Sequence, residues 1–177
     1  MKKLIAFLLA AAMMLCFAGC DTTSNPKDTE SKGQTGSKEP VQDSFSFTYR
    51  NTKIALHAPA ADVLAGLGDD YAYSQSASCA FEGLDKVYDY GSLCLQTYPI
   101  GQKDYIYGWW FEDDLDEEAV TAEGIRIGSS QEDAEAAYGA DAFNGKNTYE
   151  VTKGSGKLTV IVKDNKVSSV QYAVITD

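Results

Sequence analysis

Histidine is almost missing from this chain: His57 is the only one in 177 residues. Cysteine and proline occur four times each, and 15 basic residues face 26 acidic ones. Each scarcity excludes something. One histidine and no spaced cysteine pairs leave no metal-ligand pattern. No Gly-x-Ser-x-Gly elbow, phosphate loop or Rossmann glycine run occurs, so these hydrolase and nucleotide chemistries have no carrier. The net charge of −11 opposes nucleic acid and anionic lipid headgroups. A solubility role, or a basic protein partner, suits such a charge. Long apolar runs are absent beyond the first twenty residues.

Those first residues carry the strongest signal. Met1-Lys2-Lys3 is a short basic start, Leu4 to Ala18 is apolar, and Asp21 onward is abruptly polar. This is the pattern of a secretory signal, here 1–19 with cleavage before Cys20. The apolar run is shorter than the roughly 20 residues a spanning helix needs. Phe17-Ala18-Gly19-Cys20 resembles the lipobox of bacterial lipoprotein precursors, with Phe17 where Leu is usual. The resemblance implies that Cys20 is lipidated and becomes the first residue of a membrane-anchored, extracytoplasmic protein. Loss of Lys2 and Lys3 leaves 13 basic residues against 26 acidic, a net charge of −13. The alternatives are an ordinary signal peptide with an incidental cysteine, or an uncleaved anchor.

Residues 20–44 lack aromatics and, Val41 aside, large aliphatics. They cannot bury enough apolar surface to offset chain entropy and read as a disordered tether. Residues 45–177 form the globular part. Cys79 and Cys94 lie there, on what read as neighbouring strands of an exported domain, where disulfides persist. A Cys79–Cys94 disulfide is expected, with two free thiols as the alternative.

The globular part contains an internal repeat, about 45–114 and 115–177. Ile54 to Gly68 aligns with Ile125 to Gly139 without a gap, matching Ile54 to Ile125, Leu56 to Ile127, Asp62 to Asp133 and Gly68 to Gly139. Each copy reads as a short strand, then a two-turn helix. Ser129 with Glu132 reads as a capping box on the second helix. Pro59 opens the first, and the two glycines stop the helices. Strands follow each helix: 87–90, 93–98 and 105–111 in the first copy, 148–151, 158–163 and 167–174 in the second. Phe45 to Tyr49 adds a leading strand. Turns fall at Gly91, Pro99 to Asp104, Gly154-Ser155-Gly156 and Asp164-Asn165. The expected class is α+β, a short helix followed by an antiparallel meander, twice.

The stretch Ile125-x-Ile-Gly-Ser-Ser-x-x-Asp133, Tyr138-Gly139 and the Asp164-Asn165-Lys166-Val167 turn resemble the β-lactamase-inhibitor-protein-like fold. They also resemble the small SmpA/OmlA-type lipoproteins of outer-membrane barrel assembly. These motifs mark caps, turns and core positions, and fold does not imply function. In the inhibitor proteins, the resemblance implies, a concave sheet face binds the target.

All eleven tyrosines and both tryptophans lie after Ser44. Strand alternation puts Leu93, Leu95, Thr97, Trp109, Phe111, Val170, Tyr172 and Val174 inward. Trp110, Tyr98 and Gln96 then face outward with Cys94, as a partner-binding surface. The alternative is that another part of the chain covers this face. His57, without a placed nucleophile, reads as a surface or turn residue. The run Glu112 to Glu118, six acids in seven residues, reads as a solvated linker or a weak cation binder. The chain thus reads as a non-enzymatic protein-binding or scaffold module on a bacterial membrane. It needs no catalytic residue, metal or cofactor and no nucleic acid, and its partner is an unidentified envelope or secreted protein. An envelope-assembly accessory or a β-lactamase-type inhibitor is the alternative.

Overall fold

The computed structural model describes residues 44–176. Nine strands and two short helices follow in order: β1 (Ser46–Tyr49), β2 (Thr52–Ala55), α1 (Ala60–Leu67), β3 (Ala72–Ala77), β4 (Leu84–Asp89), β5 (Leu93–Ile100) and β6 (Lys103–Phe111). Then come α2 (Gln131–Tyr138), β7 (Thr148–Lys153), β8 (Gly156–Lys163) and β9 (Lys166–Val174). β1 and β2 form a hairpin; the other seven make one antiparallel sheet in the order β3-β4-β5-β6-β9-β8-β7.

This overturns the expected α+β class of repeated helix plus meander. The described residues are 47% strand and 14% helical, so this part of the chain is predominantly β. The helices are too small to form a layer of their own. Each is eight residues long, and α2 fully buries only Ala134. The hairpin's aromatics and α1 cover the sheet instead. Phe47 stacks on Trp109 with ring centroids 5.1 Å apart, and Trp109 stacks on Tyr172 at 4.7 Å. Phe45 meets Tyr172 edge-on at 5.2 Å. Ala60, Val63 and Leu67 of α1 complete the covering. Aromatic pairs of this geometry add to plain area burial.

Alternation decides what faces inward. Leu93, Leu95, Thr97, Trp109, Phe111, Val170, Tyr172 and Val174 are all buried, and Trp110 is only half-buried. The two meanders meet where β6 pairs β9, from Gly108 opposite Ala173 to Phe111 opposite Val170. A Cβ at Gly108 would overlap the Tyr172 carbonyl oxygen, so glycine sets how closely these strands approach.

Local signals are met with shifts. Arg50-Asn51 and Asp164-Asn165 turn their hairpins with positive φ at both residues, the type I′ geometry that suits strand twist. The capping box on α2 is Ser130 with Asp133, one residue beyond the expected Ser129 with Glu132. Gly68 and Gly139 end the helices with φ of 83° and 84°. Ile125 to Ile127 is not a strand: Thr121 holds it as a loop, its hydroxyl accepting the Ile125 N–H at 3.0 Å. The turn expected over Pro99 to Asp104 narrows to Gly101-Gln102, because pairing continues to Ile100 opposite Lys103. β3 has no counterpart in the sequence-based reading.

Candidate functional site

Three remote segments converge at one end of β5 and β6. A bulge starts it: Gln96 pairs with Gly108 but Thr97 pairs with Ile106, leaving Tyr107 extra. Bulges re-aim side chains. Alongside β6, His57 donates its N–H to Ile106 O and Ile106 donates to Ala58 O, both at 2.9 Å. His57 takes a left-handed φ of 64° to enter this pairing. Its ring then lies between Tyr98 and Ser155, with Nδ1 2.8 Å from Tyr98 Oη and Nε2 2.7 Å from Ser155 Oγ. Ser155 sits in the β7–β8 turn, whose carbonyl also accepts from Ile175 N at 2.8 Å.

A Ser–His–Tyr line invites a catalytic reading, and the proton count opposes it. Tyr98 is 3% exposed, and its hydroxyl has one partner among the described residues, His57 Nδ1. A buried O–H needs an acceptor. Tyr98 therefore donates to Nδ1, the ring proton sits on Nε2, and Nε2 donates to Ser155 Oγ. A base that would activate Ser155 must carry the opposite tautomer. Burial lowers the His57 pKa below its ordinary value, so the ring is neutral near pH 7. The arrangement is a strut that ties the β2–α1 connection to β5 and to the β7–β8 turn.

Beside the strut lies a shallow cleft of about 510 Å³ between the 78–83 loop and the end of β9, with His57, Cys79, Phe81 and Ile175 in its wall. Phe81 caps the Tyr98 ring at 4.4 Å. This loop corrects the expectation for Tyr98, which is buried rather than part of an exposed surface. The alternation was right, but the loop folds over that end of the outer face.

The expected Cys79–Cys94 disulfide is not formed: Cys79 is exposed, Cys94 is buried, and both are free. Register explains it. Cys94 lies opposite Asp89, at one end of β4, and Cys79 follows β3 beyond the Ala77–Leu84 pair at the other end. Five residues of strand separate the ends by roughly 16 Å, far beyond disulfide reach. Burial, then a hydrogen bond to Glu112, pushes the Cys94 thiol pKa well up.

Trp110 and Gln96 remain half-buried on the outer face. The Trp110 indole N–H donates to Glu112 Oε1, which also receives the Cys94 thiol at 3.4 Å. Around them lie Val87, Gln171, Thr159 and Ala173, each half-buried or exposed. β6, which carries Trp110, is the middle strand of the seven.

The acidic run is not simply a solvated linker. Asp116 accepts the Tyr49 hydroxyl at 2.7 Å and pairs with Arg50 at 3.5 Å, and Glu118 accepts the Arg50 N–H at 2.6 Å. Ser92 donates to Asp113 at 2.6 Å. The Tyr49 hydrogen bond is the main cause that lowers the Asp116 pKa. Among the described residues no cluster of His, Cys, Asp and Glu has a metal-binding arrangement. No helix among them is long and apolar enough to cross a membrane. Cys20 lies outside the described residues.

Nothing in the sequence marks the His57–Tyr98–Ser155 strut beyond the uniqueness of His57. Among known proteins, the chain matches no family model, no curated protein and no solved structure.

Proposed function

We propose that this protein is a lipid-anchored module of the bacterial cell surface that binds another protein without chemistry of its own. The observation that carries this reading is the outer sheet face centred on Trp110. A half-exposed tryptophan held by Glu112, on the middle strand and among short polar and aliphatic neighbours, is the composition of a binding hot spot. The anchoring half rests on Phe17-Ala-Gly-Cys20 and the signal-like segment before it. The non-enzymatic half is supported by the tautomer of His57, which leaves Ser155 without a base. Two measurements test it. Palmitate labelling and membrane fractionation compare the parent with Cys20→Ala; unchanged labelling sinks the anchor. Affinity capture from membranes compares the parent with Trp110→Ala; equal capture of the same partner sinks the binding face.

A further inference from the structure

The seven-stranded sheet has two edges, and they are unlike. At β7 the edge is obstructed: Phe143 bridges Tyr149, and Asn144 N donates to Thr148 O at 2.9 Å. β7 also carries Glu150 and Lys153. At β3 none of the usual protections exists among the described residues. Ala72-Tyr-Ser-Gln-Ser-Ala77 has no charge and no proline, its register with β4 runs unbroken, and all six residues are exposed. Natural edges are normally blunted by charge, proline, bulges or a covering loop.

The ladder shows which backbone groups are free. Ser78 N donates to Gly83 O at 3.0 Å, in register with the β3–β4 pairs. Antiparallel pairing alternates, so Ala72, Ser74 and Ser76 turn their amides toward β4. Tyr73, Gln75 and Ala77 turn N–H and C=O toward the open edge. This row is self-complementary. A two-fold axis through Gln75 sets Gln75 against its counterpart, Tyr73 against Ala77 and Ser74 against Ser76. That closes about six backbone hydrogen bonds with inner faces on the same side.

We propose that β3 is a homotypic docking edge, through which two copies of this chain pair antiparallel about Gln75 and join their sheets into one. The occupant is a second copy because the strand matches itself. Charge permits it: Ala72 to Ala77 carries none, so the two strands meet without a like-charge contact although the copies, at −11 overall, repel at longer range. This inference is independent of what the Trp110 face binds.

The test uses the full chain in membranes. In a Cys79→Ser background, Gln75→Cys puts two thiols on residues whose Cα atoms would lie about 5.5 Å apart, within disulfide range. A covalent dimer on non-reducing gels is expected, at least about tenfold more abundant than for Ser74→Cys or for the background alone. Sedimentation of the detergent-solubilised parent chain should show a dimer, strengthening with salt as repulsion is screened. Gln75→Lys should make it monomeric, with a melting temperature no lower than that of the parent diluted until it too is monomeric. Gln75→Pro should do the same, since that N–H serves no bond within one copy. A monomeric parent, a dimer that survives Gln75→Lys, or cross-linking of Ser74→Cys equal to Gln75→Cys would each overturn the proposal. So would a monomer whose β3 amides are protected only by another protein's strand.

Discussion

The Tyr98 hydroxyl donates to His57 Nδ1 at 2.8 Å, across 41 residues of sequence. That one bond sets the tautomer of the only histidine and makes His57 a donor to Ser155. A pH dependence follows. Burial holds His57 below its ordinary value near 6.5, so the folded chain binds that proton less readily than the unfolded chain. Stability from this group is complete above about pH 6.5 and is lost as pH falls from there through the folded value. Urea midpoints between pH 7.5 and 5 should fall accordingly. His57→Asn, which tolerates the left-handed backbone, should flatten the slope. An unchanged slope would assign it to another group.

Tyr98→Phe should cost about 0.5–1.5 kcal/mol, because the half-buried His57 Nδ1 loses its donor. Chemical denaturation reads the loss directly. A neutral result would mean that the strut contributes nothing to stability.

Asp116 supplies a second, more acidic transition. Its pKa is lowered, chiefly by the Tyr49 hydroxyl. Its stability contribution is present above about pH 4, the ordinary carboxylate range, and is lost as pH falls through the folded value. Tyr49→Phe should reduce the acid-limb slope at a cost of about 1 kcal/mol. Acid titration followed by tryptophan fluorescence would check this.

The two adjacent tryptophans should behave oppositely. Trp109 is fully buried between Phe47 and Tyr172, so Trp109→Ala should cost roughly 3–5 kcal/mol. Trp110→Ala should stay within about 1 kcal/mol, mostly from loss of its bond to Glu112. Melting temperatures of the pair decide it, and the reverse order would put the wrong face inward.

The cysteines should differ in reactivity as they differ in burial. Alkylation of the native protein should modify Cys79 and spare Cys94, whose thiol is buried and hard to ionise. Peptide mapping before and after unfolding distinguishes them. A Cys79–Cys94 linked peptide would contradict the register of β4.

Much of the sheet was legible in the sequence because its signals are local. Alternation along 93–97 and 109–111 placed Trp109 inside and Trp110 outside, and Asp164-Asn165 marked a hairpin that only left-handed residues turn. These depend on neighbours a few positions away. β3 was invisible because Ala72 to Ala77 has no apolar alternation; pairing with β4 alone holds it.

By itself, then, the sequence determined the period of the strands that alternate apolar and polar residues, the helix stops, the acidic balance and the signal-like start. Tertiary structure alone decided that both meanders share one sheet, that Phe81 covers Tyr98, that Cys79 and Cys94 lie at opposite ends of β4, and that His57 meets Ser155 across 98 residues. Local periodicity reports which face a residue occupies. It carries no record of which strands become neighbours or where a loop comes to rest, because those are set by long-range register and by what buries the remaining apolar surface.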